Sequence, residues 1–127
     1  TWGIDNRTVA IRIPAGPEKA KRIEHRVSGA DANPYLVVTS ILAGIHHGIT
    51  HKIAPPKIST GNAILKHKPS LPMTWVESLD AFSKSKILKK YFGKEFCHVY
   101  YETKYKEMKK FDSHITPLEL DWYLRTV

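Results

Sequence analysis

The chain is poor in several features that would by themselves assign it to a class. It has 127 residues and a single cysteine, Cys97, which excludes an internal disulfide and favours a reducing compartment such as the cytoplasm. No apolar run approaches the roughly 18 residues of a membrane helix, so we expect no membrane partner. Charged residues make up 25% and hydrophobic residues 42%, values typical of one modest globular domain rather than a disordered segment.

Acidic residues are scarce beside basic ones, 12 against 20, which gives a net charge of +8. Such a charge attracts nucleic acid or phosphorylated ligands. Much of the excess lies on lysines with interleaved Glu, as on a solvated helix face: Lys84, Lys86, Lys89, Lys90, Lys94, Lys104, Lys106, Lys109 and Lys110. A small basic nucleic-acid-binding module is a remote alternative, because the aromatic residues have helical core spacing and no nucleic-acid motif is visible.

The first quarter of the chain predicts two paired strands. Residues 7–14 alternate between apolar and polar, as a half-buried strand does, and a second strand follows at about 21–27. The Pro-rich break at 14–17 separates them, so we expect a hairpin. Next, Asn33-Pro34 predicts a helix start, and the apolar run at 35–45 predicts a helix buried on most sides that ends at Gly48.

The rest of the sequence predicts a long connecting loop followed by helices. Residues 50–72 are rich in proline and lack apolar periodicity. Capping boxes at Thr74 and Thr116 each open a helix, and two further helices are predicted at about 84–92 and 94–112. The fold class is therefore α+β, a β-hairpin followed by a mainly helical segment.

The stretch RIEHR at 22–26 carries the clearest chemical signal. Alternate side chains of a strand share a face, which puts Arg22, Glu24 and Arg26 on one side, with Ile23 and Val27 turned inward. Arginines bind phosphate and carboxylate oxygens, and Glu is a hard ligand for Mg²⁺ or Mn²⁺. A surface strand with salt bridges would show the same spacing, so spacing alone leaves both interpretations open.

Four segments together resemble one known family. They are NRTVAIRIP at 6–14, RIEHR at 22–26, GADANPYL at 29–36 and ILAG at 41–44. Their order and spacing resemble the last part of the glutamine synthetase catalytic domain. Three further segments, WGIDNR at 2–7, SGADANP at 28–34 and YFGKEFCHVY at 91–100, are most similar to the γ-glutamylputrescine synthetase branch. The resemblance implies that residues 1–127 are the C-terminal part of such a domain, with the N-terminal domain and most of the barrel absent.

The resemblance also implies roles for five residues. Arg7 matches an arginine near the transferring phosphoryl group, and Arg12 and Arg22 match arginines that hold the ATP phosphates. Glu24 matches a metal ligand, and Arg26 matches an arginine that binds glutamate or the acyl phosphate. A structural ion pair is the alternative for Arg12 and for Glu24.

The implied activity is an ATP-dependent ligation of glutamate to an amine through γ-glutamyl phosphate, with Mg²⁺ or Mn²⁺. Putrescine or another polyamine is the expected amine, and ammonia, as in glutamine synthetase proper, is the alternative. The family's other metal ligands lie upstream of this segment, so we expect the isolated chain to be inactive. The full-length protein is expected to form stacked rings, and a non-catalytic assembly piece is a third interpretation. We expect no nucleic-acid partner.

Overall fold

The structure, a computed structural model, describes residues 1–126, which fall into two compact units. The first unit spans residues 1–70 and the second begins at Leu71. The first unit contains a three-stranded sheet in the order β1 (Trp2–Ile4), β2 (Ile11–Ile13) and β3 (Glu24–His25). Strand β1 runs parallel to β2, and β3 runs antiparallel to it.

The predicted hairpin is confirmed as the β2–β3 pair, but its strands are shorter than expected. Residues 7–10 form turns and bends, and a 3₁₀ turn at Glu18–Ala20 lies in the connecting loop. The prediction that Ile23 and Val27 turn inward is wrong, because their exposed fractions are 59% and 47%. A two-residue strand at the edge of a small sheet has no second layer in this unit that could cover its other face.

The predicted helix start at Asn33 is confirmed. Helix α1 spans Pro34–Thr50, and the Asn33 side chain accepts hydrogen bonds from the backbone N–H groups of Tyr35 and Leu36 at 3.0 and 3.3 Å. The helix passes through Gly48, where we had expected its end. It stops two residues later, and the chain then turns at Lys52, which has a φ of +50°.

The prediction that α1 is buried on most sides is wrong for the part of the chain that the structure describes. Ala43 is its buried residue, whereas Tyr35, Leu42 and Ile49 are 82%, 60% and 73% exposed. The other elements of the first unit are a small sheet, a 3₁₀ turn and the four-residue helix Ala63–Lys66. They are too small to cover the apolar surface of a helix of 17 residues. Helix α1 therefore exposes an apolar surface that the other elements of this unit do not cover.

Residues 51–74 form the predicted connecting loop, except for one missed helical turn. This short helix, α2, spans Ala63–Lys66, and the Asn62 side chain caps it by accepting from the Ile64 N–H at 3.0 Å. Ala63 is buried. The turn was missed because four residues are too few to show helical periodicity.

The second unit is helical, as predicted. It contains α3 (Trp75–Lys84), α4 (Lys86–Phe92), α5 (Lys94–Asp112) and α6 (Pro117–Tyr123). Both predicted capping boxes are present, and helices α3 and α4 pack on α5. The buried side chains are Leu79, Cys97 and Met108. The α+β class, a hairpin followed by helices, is confirmed. No helix among residues 1–126 has the length and apolar character needed to cross a membrane.

Candidate active site

Four alternating charges run across the sheet of the first unit, and we call them the ion-pair chain: Asp5, Arg12, Glu24 and Arg26. Nη1 of Arg12 donates to Oε2 of Glu24 at 2.9 Å. Nη1 of Arg26 donates to the other carboxylate oxygen, Oε1, at 2.5 Å. Nη2 of Arg12 donates to Oδ1 of Asp5. Each interior member of the chain is therefore paired with opposite charge on both sides.

The register of the sheet explains the central pair. Arg12 lies opposite Glu24 across the antiparallel β2–β3 ladder, so their side chains leave the same face. The backbone N–H of Arg26 donates to Ala10 O at 2.9 Å, which extends the pairing beyond β3. The expected common face of the two strands is confirmed for these charged residues.

Asp5 reaches Arg12 because the chain turns sharply after β1. Its φ is +45°, in the left-handed region that most non-glycine residues avoid and that Asp and Asn tolerate best. The backbone N–H of Asp5 donates to Ile13 O at 2.9 Å, which fixes the turn against β2.

The pairing shifts the ionisation of three members of the ion-pair chain. The hydrogen bond from Arg12 lowers the pKa of Asp5 below its usual value. Hydrogen bonds from Arg26 and then from Arg12 lower the pKa of Glu24. The pKa of Arg12 is raised, chiefly by its bond to Asp5. Both carboxylates are therefore held in their charged forms near neutral pH.

An open cleft of about 840 Å³ lies beside the ion-pair chain in the same unit. One wall comes from residues 4–8 together with Arg12, and the other comes from the loop at 58–62. Two guanidinium groups, those of Arg7 and Arg12, line the cleft, so it can accept an anion such as phosphate.

The far wall is held in place by side chains of residues 6 and 8. Nδ2 of Asn6 donates to the carbonyl oxygens of Gly61 at 2.8 Å and Ser59 at 3.2 Å. Its Oδ1 accepts from the Thr8 N–H at 2.9 Å. The Thr8 hydroxyl in turn accepts from the Ala63 N–H at 2.8 Å. The loop at 59–63 is thereby tied to the turn that carries Arg7.

Strand β1 makes a second connection to the same loop. The indole N–H of Trp2 donates to Pro56 O at 2.7 Å, and the Trp2 carbonyl accepts from the Ser59 N–H at 2.9 Å. Gly3 lies so close to the loop that a Cβ there would come within 2.8 Å of Ser59 O. This close approach explains why a glycine occupies the strand.

The structure brings most of the predicted site residues together, with one exception. Arg7 and Arg12 line the cleft, and Arg12 joins it to Glu24 and Arg26. Arg22 precedes β3 and belongs neither to the ion-pair chain nor to the cleft wall. Its guanidinium donates to the carbonyl of Ala20 at 3.4 Å. Arg22 therefore takes no part in the ion pairs of Glu24, and its place on the face shared by Glu24 and Arg26 stays a prediction.

Glu24 does not by itself make a metal site. Both of its carboxylate oxygens accept hydrogen bonds from guanidinium groups. Among residues 1–126, no three His, Cys, Asp or Glu side chains come together as a metal-holding group. Glu24 is thus one candidate oxygen ligand, and a bound Mg²⁺ or Mn²⁺ would need others.

Three contributors to this region were not predicted from the sequence: strand β1, the carboxylate of Asp5 that pairs with Arg12, and the Asn6 amide that ties down the loop. An Asp-Asn pair after a short apolar run is a signal for a turn. This turn signal does not reveal that the Asp5 side chain will pair with Arg12 on the next strand.

Comparison with known proteins matches the chain to one family. The family model for the glutamine synthetase catalytic domain matches residues 1–123. Among curated relatives, γ-glutamylputrescine synthetase PuuA of Escherichia coli K12 is 41% identical over 98% of this chain and 26% of that protein. Type-1 glutamine synthetase 2 of Dictyostelium discoideum is 39% identical over 100% of this chain and 25% of that protein.

Two further matches agree with these. A glutamate–isopropylamine ligase of a Pseudomonas species is 38% identical over 98% of this chain and 28% of that protein. The solved structure described as apo GmaS without ligand has a TM-score of 0.81 and 26% identity, and covers 98% of this chain and 30% of that one. The chain thus spans about a quarter of the length of the curated relatives that it matches. This chain belongs to the glutamine synthetase catalytic domain family.

Proposed function

We propose that this chain is part of an ATP-dependent ligase that joins glutamate to an amine. The observation that carries the proposal is the family match over residues 1–123. The cleft lined by Arg7 and Arg12 supports it, because a phosphoryl-transfer site needs positive charge where phosphate charge gathers.

The reaction has two steps. In the first, an oxygen of the glutamate γ-carboxylate attacks the terminal phosphorus of ATP, and ADP leaves. In the second, the amine nitrogen attacks the carbonyl carbon of the acyl phosphate and loses a proton. Inorganic phosphate leaves, and it carries the carboxylate oxygen that attacked ATP in the first step. Both steps require anions to be held in fixed positions, which is the work of guanidinium groups.

The five residues keep the roles that the resemblance implies. Arg7 stabilises the transferring phosphoryl group, and Arg12 holds nucleotide phosphates from the cleft wall. Arg26 binds glutamate or the acyl phosphate, while Glu24 contributes an oxygen to Mg²⁺ or Mn²⁺. Arg22 also contacts nucleotide phosphates, although its guanidinium now contacts the Ala20 carbonyl.

The amine is proposed to be putrescine or another polyamine. The similarity to the Escherichia coli enzyme supports this choice, and it includes the branch-like segments at 2–7, 28–34 and 91–100. Ammonia is the second candidate, and it is favoured by the 39% identity to a glutamine synthetase of Dictyostelium.

The amine is tested in the full-length enzyme by measuring kcat/KM for putrescine, longer polyamines, monoamines and ammonia at saturating ATP and glutamate. We expect the highest kcat/KM for a di- or polyamine. A higher value for ammonia would reject the polyamine assignment and make the enzyme a glutamine synthetase.

Three wider features belong to the same proposal. The 127-residue chain alone is expected to release no ADP in the presence of glutamate and amine, because the resemblance places the family's other metal ligands upstream of this segment. Robust turnover by the purified chain would refute this. The full-length enzyme is expected to form stacked rings, and the single cysteine, buried Cys97, favours the cytoplasm.

A further inference from the structure

Two residues belong both to the wall of the cleft and to the ion-pair chain, namely Asp5 and Arg12. Each other charged residue belongs either to the cleft wall, as Arg7 does, or to the ion-pair chain, as Glu24 and Arg26 do. The contact between Asp5 and Arg12 is therefore where the ion-pair chain can influence the binding of a ligand in the cleft.

We propose that Asp5 is a positioning residue, whose carboxylate fixes the Arg12 guanidinium at the cleft wall so that Arg12 meets nucleotide phosphates in one orientation. The inference rests on the proposed function, since nucleotide binding by the cleft is part of that proposal. No role for Asp5 is predicted from the sequence, because this residue precedes Asn6 and is not part of the Arg-Glu-Arg pattern.

The first support is the way in which Arg12 is held. Asp5 accepts from Nη2 and Glu24 accepts from Nη1, so both ends of the planar fork have a carboxylate partner. The Arg12 side chain is only 14% exposed. A flat, rigid group held at two points cannot rotate in its plane. With Asp5 neutral, one strong contact would remain and the Nη2 end would be free to move.

The second support is the backbone of Asp5. The left-handed φ of +45° is unfavourable for most residues, and it persists because the Asp5 N–H is bound to Ile13 O. This turn, which follows the end of β1, brings the Asp5 carboxylate to Arg12 on the neighbouring strand β2. A residue in an uncommon conformation, with a charged side chain directed at a cleft-lining arginine, is suited to a positioning role.

The third support is the contrast with Arg7. Arg7 lines the same cleft but is exposed and lies outside the ion-pair chain. One arginine of the cleft is thus fixed by carboxylates while the other is in contact with solvent. The fixed arginine supplies orientation, and the exposed one can follow the phosphoryl group as it moves.

The test uses Asp5→Asn in the full-length enzyme, because Asn tolerates the same left-handed backbone and removes only the charge. Glu18→Gln is the matched control, since Glu18 is fully solvated at 91% exposure and pairs with Lys21 at 3.7 Å, away from Arg12. Binding of ADP with Mg²⁺ is measured by titration calorimetry, and steady-state kinetics give KM for ATP and for glutamate.

We expect Asp5→Asn to weaken ADP binding and to raise KM for ATP by about tenfold, the size of one charge-assisted contact. The KM for glutamate should not change, and Glu18→Gln should match the wild type. Arg12→Ala should weaken ADP binding as well, and adding Asp5→Asn to it should have no further effect, because Asp5 acts through Arg12.

Several results would overturn the inference. Unchanged or tighter ADP binding by Asp5→Asn would do so, as would additive effects in the double variant. If Asp5→Asn does not fold, Asp5→Gly, which tolerates a positive φ, is subjected to the same measurements with the same expectations. A wild-type enzyme that binds no ADP would refute the proposed function itself, whereas an active wild type with a normal Asp5→Asn variant would refute the role of Asp5 alone.

Discussion

Gly3 and Ser59 approach each other so closely that a methyl group on Gly3 would lie 2.8 Å from the Ser59 carbonyl oxygen. It would also lie 3.0 Å from Cβ of Asn6, the residue that ties the loop to the turn carrying Arg7. The geometry of the cleft thus depends on a strand position without a side chain.

Gly3→Ala should therefore destabilise the first unit by about 1–3 kcal/mol, the usual range for overpacking. Gly44→Ala is the control, because no heavy atom lies within 4 Å of the added methyl in α1, and Ala in a helix interior should stabilise by about 0.5–1 kcal/mol. The free energy of unfolding is measured by urea denaturation, with Trp2 fluorescence as the reporter after Trp75 and Trp122 are changed to Phe. Equal effects of the two substitutions would contradict the close approach.

The sequence predicted much of the fold because its signals were local. The capping boxes at Thr74 and Thr116, and the Asn33-Pro34 start, are read from a few consecutive residues and are satisfied by hydrogen bonds within one helical turn. The pairing of Arg12 with Glu24 was also within reach, since two neighbouring strands and a short connection leave few registers.

The errors came from contacts that no local pattern contains. The burial of α1 was inferred from its apolar run. Such a run shows that the helix can pack against apolar surfaces, but it does not show that this unit contains them. Asp5 was missed because its role depends on a left-handed turn and on a partner in the next strand. Arg22 was placed with Glu24 by strand alternation, but it lies two residues before β3, where alternation does not fix the face of a side chain.

Glu24→Gln should reduce turnover of the full-length enzyme at least about a hundredfold, a loss typical of one electrostatic contact removed at a reacting centre. The change keeps the shape of the side chain but removes the charge that pairs Arg12 and Arg26 and that would hold a metal. The loss of stability should be modest, as judged by the thermal unfolding curve, because the amide oxygen of Gln can still accept from a guanidinium and Arg12 keeps its contact with Asp5. Glu18→Gln serves as the control, and a near-normal rate for Glu24→Gln at saturating Mg²⁺ would make Glu24 a structural residue.

Stability should fall in acid in a way that depends on the ion-pair chain. The pKa values of Asp5 and Glu24 are lowered in the folded state, so the unfolded state binds protons more readily. Their contribution is therefore complete above the ordinary carboxyl pKa of about 4, and is lost as the pH falls through the lowered values.

The measurement is the free energy of unfolding of this chain between about pH 2 and pH 6, the range in which these carboxylates titrate. A variant carrying Asp5→Asn and Glu24→Gln should lose less stability across that range than the wild type. Comparing the two curves removes the effect of Glu77 and Glu119, whose pKa values are also lowered, by the backbone N–H groups of their capping boxes. Parallel curves would show that the pairs do not couple to folding.

Thr74→Ala should cost about 1 kcal/mol, because it removes the side chain that accepts from the Glu77 N–H at the start of α3. Thr103→Ala is the matched control within α5, where the hydroxyl only donates back to the Val99 carbonyl and Ala is the better helix former. Urea denaturation followed by circular dichroism distinguishes them. An equal cost at both positions would mean that the capping box adds nothing.

An isotope transfer shows whether ligation proceeds through γ-glutamyl phosphate. Glutamate labelled with ¹⁸O in both γ-carboxylate oxygens is incubated with the full-length enzyme, ATP and putrescine, and the inorganic phosphate is examined by mass spectrometry. We expect one ¹⁸O atom in each phosphate released, because the oxygen that attacks ATP leaves with the phosphate. Phosphate without ¹⁸O, formed at the same rate as the amide, would contradict it.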